Sequence, residues 1–458
     1  MHLSRYNLLF PVDEKGMYIL MNNLSSAMDI VDDDVVDILR RVERGEKVNN
    51  GDTLTTLKRK GYVFETEEYE EKYLNYRFRE YEQKIKMSLP VFYLYPTYAC
   101  NLRCSYCFQD HSARKNVVID DQCLHAAFES MDYLQEKSPS KELPYFVIFG
   151  GEPLLKSKRQ FEVIKKILDE SSNRGWKPKI VSNGVELESY VDMLSSYDLE
   201  FIQVTVDGPE TMHNKRRISP KTSGTFTPII RGIQKAVDNN IKMAIRINVD
   251  AQNLALLPEL ARFFIEQGWE ENKLIVPYMA PMRDISCMEY RHRLPEHVAL
   301  HQIYDLYRNY QEMRVIHLIG WVGAEIFRKA LETDQLPSPQ FKFCGANMTR
   351  FCFDLKGDVY TCVNCAGVEE YKIGRFFPTL EIDESALGQW RNRSILHIPE
   401  CKSCNLALVC GGGCTKLAAE KGEGIGRPYC TDVGEVLSES ARYYYPFLKE
   451  RPEGEHHR

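Results

Sequence analysis

The middle of the chain alternates short apolar runs with longer amphipathic segments. Six apolar runs predict strands over residues 91–97, 145–149, 179–182, 201–206, 242–249 and 274–278. Helical spacing of apolar positions fills the intervals, as at residues 121–136 and 159–174. Strands that alternate with helices of this length form parallel sheets with right-handed crossovers. The pattern predicts an α/β fold with a partial (β/α)6 TIM-like barrel over residues 86–315.

The first 85 residues follow a different pattern. Their apolar spacing predicts a hairpin, a third strand, two helices and a short wing, over residues 7–22, 25–31, 34–42, 52–61 and 62–64. Asp52 is the expected N-cap of the second helix, and Gly61 is its expected end. Residues 65–86 predict a linking helix. The N-terminal region is therefore expected to be a winged-helix-like domain over residues 1–85.

Composition limits the function classes. The 458 residues suffice for two or three domains, and the formal net charge of −6 gives no basic character that would favour nucleic acid. No apolar run is long enough to span a membrane, and the first residues lack a signal-peptide core. The 14 cysteines then indicate a reducing compartment, so a cytoplasmic location is expected.

Three cysteines follow the first predicted barrel strand at short spacing. Cys100, Cys104 and Cys107 are separated by three and then two residues. Three thiolates can hold a four-iron cluster and leave one iron free for another ligand. A zinc loop or three buried thiols are the alternatives, although His111 and Cys123 lack the paired spacing that zinc usually requires.

This run, with Tyr106 directly before its third cysteine, resembles the signature of radical S-adenosylmethionine (SAM) enzymes. The resemblance implies a [4Fe-4S] cluster held by the three cysteines. In the family, the fourth iron chelates the amino and carboxylate groups of SAM, and one electron cleaves SAM to a 5′-deoxyadenosyl radical. The three cysteines are therefore the expected catalytic centre.

Further motifs follow the next predicted strands, where the working edge of such a barrel lies. Gly150 and Gly151 would let the backbone approach a ligand, and Glu152 would accept a hydrogen bond from an ammonium group. In radical SAM enzymes the matching segment contacts the methionyl amine. Ser182 and Asn183 would serve the ribose or carboxylate of SAM, or simply form a turn.

Two more polar pairs fall on the fourth and fifth strand units. By resemblance to peptide-modifying members, Arg217 would meet the SAM carboxylate, with the adjacent Arg216 as an alternative or either as a surface charge. Arg246 and Asn248 share one strand face, so they either point inward or pair with each other.

The last third of the chain, residues 316–458, holds a second cysteine set. Its order resembles the SPASM extension of radical SAM enzymes, with a hairpin predicted around Gly357. The resemblance implies a first auxiliary [4Fe-4S] cluster on Cys344, Cys362 and Cys414. It implies a second auxiliary [4Fe-4S] cluster on Cys401, Cys404, Cys410 and Cys430, which makes three clusters in all. A structural zinc knuckle is the alternative.

The first auxiliary set departs from the fully ligated pattern of the family. Such members carry another cysteine about six residues after the first, and this chain has Asn347 in that vicinity. Cys352 or Cys365 would supply the missing ligand, or an open iron would bind a substrate thiolate. Cys123 and Cys287 are expected to be ordinary buried thiols.

The three regions together resemble radical SAM/SPASM maturases of ribosomally made peptides. The resemblance implies that the precursor's leader adds a strand to the sheet of residues 1–85, that a flavodoxin or ferredoxin-type protein supplies electrons, and that a Cys sulfur-to-carbon thioether forms. Carbon-carbon crosslinking is an alternative. A DNA-binding winged helix is a weaker reading, because Lys58, Arg59 and Lys60 are its only basic triplet.

Anaerobic sulfatase maturases, which oxidise Cys or Ser, are the nearest rival enzymes. They generally carry an Asp after the hairpin cysteine, whereas Val363 follows Cys362 here. A rival from another class is a non-catalytic iron-sulfur scaffold or redox-responsive DNA binder. Release of 5′-deoxyadenosine from SAM under reducing conditions separates it from an enzyme.

Overall fold

A computed structural model describes residues 1–49, 51–109, 117–222, 224–285, 290–422 and 424–450. His111 and Cys287, considered above as a zinc ligand and a buried thiol, lie outside these described residues. None of the described helices combines the length and apolar character that crossing a membrane requires.

The N-terminal region contains the predicted elements with shifted ends. They are β1 (His2–Leu3), β2 (Asn7–Pro11), β3 (Met17–Asn22), β4 (Ala27–Asp32), α1 (Asp33–Glu43), α2 (Asp52–Arg59), β5 (Val63–Phe64) and α3 (Glu67–Met87). The order β2-β3-β4 makes an antiparallel sheet, and β5 pairs with β1. The expected cap of the second helix is wrong by one residue, because Gly51 is the N-cap and Asp52 is the first helical residue.

The six predicted barrel strands are confirmed as neighbours in one parallel sheet. The elements are β6 (Val91–Leu94), α4 (Asp121–Lys137), β7 (Tyr145–Ile148), α5 (Lys158–Asn173), β8 (Lys179–Ser182), α6 (Leu187–Leu194), β9 (Phe201–Thr205), α7 (Glu210–Arg216), α8 (Phe226–Asp238), β10 (Met243–Val249), α9 (Leu257–Glu266), β11 (Ile275–Pro281), α10 (Glu296–Asn309), β12 (His317–Leu318) and α11 (Val322–Thr333). β12 adds a seventh parallel strand at the edge. The α/β TIM-like architecture is thus present.

The C-terminal region continues the barrel sheet. Its elements are β13 (Arg350–Phe353), β14 (Asp358–Tyr360), β15 (Gly374–Arg375), β16 (Glu381–Ile382), α12 (Glu384–Arg391), α13 (Ala407–Cys410), α14 (Thr415–Lys421) and α15 (Val433–Lys449). The predicted hairpin turns at Gly357, whose φ is +87°. β13 lies parallel to β6, with Arg350 opposite Val91, so the hairpin is directly attached to the strand that leads into the first cysteine loop.

One helix joins the two ends of the chain. Leu437 and Ala441 of α15 are fully buried in an apolar cluster with Leu8 and Ile19 of the N-terminal sheet. The same helix packs against α10 and α11. The N-terminal sheet therefore rests on the C-terminal region.

Candidate functional site

The first cysteine loop is fixed by the glycine pair that follows β7. The Gly151 N–H donates to the Thr97 carbonyl at 3.0 Å, and the Glu152 N–H donates to the Ala99 carbonyl at 2.8 Å. A Cβ on Gly151 would lie 2.2 Å from the Ala99 oxygen, and one on Gly150 would lie 2.4 Å from the Thr97 oxygen. The glycines are needed here because the two loops contact each other closely. The sequence interpretation had explained them by the approach of a ligand.

Three thiols share the space beside this contact. Burial raises the pKa of Cys104 to about 12; Arg217 opposes the rise, and the neighbouring Cys100 and Cys107 add to it. Asn183 Nδ2 lies 3.7 Å from Cys100 Sγ. Within the described parts of the chain, no three Cys, His, Asp or Glu side chains are placed to hold a single metal ion.

Glu152 is buried and already has protein donors. Its Oε1 accepts from Leu154 N–H and Ser182 Oγ–H, both at 2.8 Å, and its Oε2 accepts from Asn183 N–H at 2.5 Å. Burial raises the pKa of Glu152 to about 7, although these three hydrogen bonds lower it. Its side chain therefore ties the loop after β8 to the loop after β7.

Tyr106 connects the cysteine loop to the ends of β9 and β10. Its hydroxyl donates to Asp207 Oδ2 and accepts from Arg217 Nη1 at 2.8 Å. The Asn248 N–H donates to Asp207 Oδ1 at 2.9 Å. Burial alone would raise the pKa of Asp207, but Arg216, Arg217 and these donors hold it below its usual value. Asp207 therefore remains a carboxylate that orders the loop.

The two adjacent arginines have different surroundings. Arg216 has a fully buried side chain, with Nη2 3.0 Å from Asp250 and Nε 4.0 Å from Asp207. Arg217 donates to Tyr106 through Nη1. Among the described residues, Nε of Arg217 and all three side-chain nitrogens of Arg216 are buried without a hydrogen-bond partner. The ion pairs with Asp207 and Asp250 make Arg216 an internal counterion, whereas Arg217, whose charge lowers the pKa of Cys104, retains a donor beside that thiol for an anionic ligand.

The remaining predicted polar pair is internal. Arg246 Nε donates to Asn248 Oδ1 at 2.8 Å, and Asn248 in turn contacts Asp207. Of the two readings left open by the sequence, pairing between the two side chains is present.

The C-terminal cysteines fall into two groups that match the predicted sets. Burial raises the pKa of Cys414, and nearby Cys362 and Cys344 raise it further. Burial likewise raises the pKa of Cys401 to about 12, with further contributions from three neighbouring thiols. These neighbours are Cys410, Cys404 and Cys430.

Two additional thiols lie beside the first of these groups. Cys352 and Cys365 have no exposed surface. A hydrogen bond between the thiols of Cys362 and Cys365 lowers the pKa of Cys362 and raises that of Cys365. Asn347 occupies the region of the missing ligand and is itself bonded to Trp390 and Thr415.

The same group is surrounded by cationic side chains that the sequence did not indicate. Arg350 Nε and Arg391 Nη1 are buried and have no hydrogen-bond partner among the described residues. Neither arginine forms an ion pair with a carboxylate within that part of the chain. A Cβ on Gly345 would lie 2.8 Å from Arg350 Nη2, which places the guanidinium directly beside Cys344.

These orphaned guanidinium nitrogens provide a test of the implied cofactor. Arg350 lies 5.4 Å from the centre of the Tyr93 ring, and Arg391 lies 5.0 Å from that of Phe351. A buried cation without a counterion remains costly, so an anion beside the two arginines would reduce that cost. An iron-sulfur cluster held by thiolates is anionic, and the donors present are thiols. The residues of this region therefore fit such a cluster, just as the three thiols and Arg217 fit a cluster with bound SAM.

Comparison with known proteins agrees with this chemistry. Residues 94–264 match the Radical SAM superfamily. The cysteine-type anaerobic sulfatase-maturating enzyme of Clostridium perfringens (strain 13 / Type A) is 23% identical over 367 residues, covering 77% of this chain and 92% of the relative. The same-named enzyme of Clostridium novyi is 21% identical over 328 residues, with coverage of 69% and 85%.

Two solved structures share the fold. Native anSMEcpe with bound AdoMet has a TM-score of 0.60 at 18% identity and covers 78% of this chain and 98% of its own. Streptococcus suis SuiB bound to S-adenosylmethionine has a TM-score of 0.55 at 16% identity and covers 94% and 98%. SuiB has also been solved with the precursor peptide SuiA. Residues 94–264 are a radical SAM domain, and the chain is an iron-sulfur enzyme.

Proposed function

We propose that this enzyme modifies a ribosomally made precursor peptide by joining a Cys sulfur to a peptide carbon. The observation that carries the proposal is the grouping of ten thiols into three sets, of which one adjoins the free donor of Arg217 and another adjoins orphaned guanidinium groups. A SAM site and separate redox centres in one chain suit oxidative bond formation on a peptide.

The first thiol set would hold the cluster to which SAM binds. Cys100, Cys104 and Cys107 would be its ligands, and Arg217 would donate to the SAM carboxylate. When bound, SAM and the reduced cluster supply a carbon radical that can remove a hydrogen atom from a peptide carbon.

The residues that support this site have separate tasks. The backbone at Gly150 and Gly151 would meet the amine of SAM, while Glu152 fixes that loop through its own hydrogen bonds. Ser182 and Asn183 lie at the adjoining strand end for the ribose or carboxylate of SAM. Tyr106 holds Arg217 in place.

The C-terminal sets would hold two auxiliary [4Fe-4S] clusters. The first would use Cys344, Cys362 and Cys414, and the second would use Cys401, Cys404, Cys410 and Cys430. Arg350 and Arg391 would balance the negative charge of the first. Arg393 donates to the carbonyls of Gly412 and Gly413, and these hydrogen bonds would keep the cysteine-rich loop rigid.

Residues 1–85 would bind the leader of the precursor. Among the described residues, β2 and β4 each pair only with β3, so the three-stranded sheet has two edges. The β4 edge would take the leader, because β2 packs against α15. An extended leader added there would gain backbone hydrogen bonds and side-chain selectivity. Docking on the same molecule also raises the effective concentration of the core peptide at the barrel.

Anaerobic reconstitution with iron and sulfide, followed by reaction with SAM, dithionite and the Cys-containing product of a small open reading frame sought next to the gene, tests the proposal. We expect release of 5′-deoxyadenosine and a peptide lighter by two hydrogens per modification. Tandem mass spectrometry should place a thioether between a Cys sulfur and an acceptor carbon. A protein that releases no 5′-deoxyadenosine would contradict the proposal.

Oxidation of a sulfatase Cys or Ser is the second candidate, and the named relatives favour it. A formylglycine product has a different mass change from a thioether. A flavodoxin or ferredoxin-type protein is the proposed electron donor in both cases, and replacement of dithionite by purified flavodoxin and its reductase tests that part.

A further inference from the structure

A cavity of about 310 Å³ lies between the barrel and the C-terminal thiols. Val249 and Pro281, at the ends of β10 and β11, line one side, and Cys344 and Cys414 line the other. Val249 directly follows Asn248, which contacts the Asp207 carboxylate beside Tyr106. The cavity therefore adjoins both regions that the proposed function requires, and its volume is within the range of ligand sites.

Glu296 brings a carboxylate to the wall of this cavity. It is the first residue of α10, and its Oε1 is buried without a hydrogen-bond partner in the described part of the chain. The Val322 N–H donates to the carboxylate. A buried oxygen without a donor is costly, so the free oxygen favours a ligand that brings a proton.

The other charged groups around Glu296 already have partners or a different sign. Asp432 accepts from His297 N–H at 2.9 Å, Glu325 accepts from Gly320 N–H at 2.6 Å, and Asp284 pairs with Lys421. Arg283 and Arg293 supply positive charge to the cavity. Among these four carboxylates, only Glu296 has an oxygen recorded as buried and unpartnered.

The titration of Glu296 suits proton transfer near neutral pH. Burial raises the pKa of Glu296 to about 7, Arg283 lowers it, and Asp432 and Glu325 raise it. A base with a pKa near the working pH combines a useful ionised fraction with adequate basicity. Glu296 becomes ionised, and able to accept a proton, as the pH rises through this value.

We propose that Glu296 is the general base that removes the proton from the attacking Cys thiol of the peptide. The inference rests on the proposed function and adds a residue to it. In this step the peptide S–H bond breaks and an O–H bond forms on Glu296. The peptide then loses two hydrogens in total. One leaves as a hydrogen atom taken from carbon, and the other leaves as this proton together with one electron, which an iron-sulfur cluster accepts.

Glu296 brings a carboxylate to the cavity from the start of a barrel helix. The hydrogen bond between the adjacent His297 and Asp432, which directly precedes α15, fixes the position of Glu296.

The test compares Glu296→Gln with Glu325→Gln, which removes another carboxylate from the same cavity. Both reconstituted variants and the wild type are given SAM, dithionite and the same Cys-containing peptide between pH 6 and 9. For Glu296→Gln we expect 5′-deoxyadenosine release within about twofold of wild type and thioether formation at least about tenfold slower. The acidic limb of the wild-type rate profile, centred near pH 7, should disappear.

Glu325→Gln should keep the rate and retain an acidic limb, moved to lower pH because Glu325 raises the pKa of Glu296. Glu296→Asp guards against a folding artefact, since it should restore a pH-dependent limb with a reduced rate. Unchanged crosslinking and an unchanged limb in Glu296→Gln would overturn the inference alone. Absence of 5′-deoxyadenosine or of crosslinking from the wild type would overturn the proposed function and the inference with it.

Discussion

A single thiol would decide how the proposed first auxiliary cluster is ligated. Cys352 and Cys365 are equally buried, but the thiol of Cys365 is the one hydrogen-bonded to Cys362. We therefore expect Cys365→Ala to lose iron, up to about four atoms per chain if the whole cluster is lost, because four-iron clusters normally have four ligands. Cys352→Ala should retain its iron.

Iron assay and electron paramagnetic resonance of the reduced proteins provide the measurement. Full iron content in Cys365→Ala would favour an open corner that a substrate thiolate can occupy. In that case, addition of the peptide should change the cluster spectrum.

Substitution of the two neighbouring arginines should impair different properties, SAM binding for Arg217 and folding stability for Arg216. Arg217→Gln removes a charged donor that faces the first thiol set, so SAM binding should weaken by about tenfold or more. Arg216→Gln removes the counterion of Asp250, so it should cost about 3–5 kcal/mol of folding free energy. Equilibrium binding of SAM and urea unfolding separate the two outcomes.

If the Arg216→Gln variant bound SAM weakly and kept normal folding stability, these assignments would be reversed. The sequence favoured Arg217 through resemblance only, because Arg216 and Arg217 are the same residue type, with the same charge, at one end of a helix. The distinction depends on Asp250 and Tyr290, which come from later in the chain and meet Arg216 and Tyr106 only in the folded protein.

At the scale of elements, the contact between the loops after β6 and β7 determines the shape of the first site. Gly151→Ala would place a methyl group 2.2 Å from the Ala99 carbonyl, so one loop must move. We expect the first cluster to be lost or labile, with 5′-deoxyadenosine release reduced at least about tenfold, because small displacements of catalytic groups are costly.

The matched variant is Gly51→Ala, since a Cβ there meets no atom within 4 Å. Its iron content and SAM cleavage should equal those of wild type. Normal SAM cleavage by Gly151→Ala would show that the loop has room to shift, and would assign the glycine to turn geometry.

The sequence predicted the long elements well and the short pairings poorly. The six barrel strands have continuous apolar runs, and periodicity identifies them. β1 and β12 have two residues each, which is too short for a period, and neither was predicted. β5 lies within the wing predicted at residues 62–64, but its pairing with β1 was not predicted. The parallel pairing of β13 with β6 was also unforeseen, because spacing within the hairpin predicts its turn but not its neighbour.

The functional site shows the same contrast between features formed by residues close in sequence and features formed by residues far apart in sequence. Short spacing indicated the first thiol group, because its members lie in one loop. The two C-terminal sets were implied by resemblance, since Cys344, Cys362 and Cys414 are far apart in sequence. Arg350, Arg391 and Glu296 were missed, because isolated charged residues give no pattern until the fold brings them beside the thiols. Their roles depend on buried atoms without partners, which only coordinates reveal.

For the molecule as a whole, α15 would connect the proposed leader-docking sheet to the catalytic region. Its apolar face packs against Leu8 and Ile19 of the N-terminal sheet, and the helix also packs against α11 and against α10, which begins with Glu296. A rigid joint of this kind would hold the leader at a fixed distance from the cavity. The joint should therefore matter more for peptide modification than for SAM cleavage.

Leu437→Ala is expected to loosen this joint. Leu437 is fully buried, so its truncation should cost about 2–5 kcal/mol through lost apolar burial and a cavity. Peptide KM should rise, whereas 5′-deoxyadenosine release without peptide should persist. Lys449→Ala is the control, because its ion pair with Glu14 lies at the surface and should contribute little to stability. Thermal unfolding and product ratios measure both effects, and an equal loss of SAM cleavage in Leu437→Ala would show that α15 supports the barrel itself.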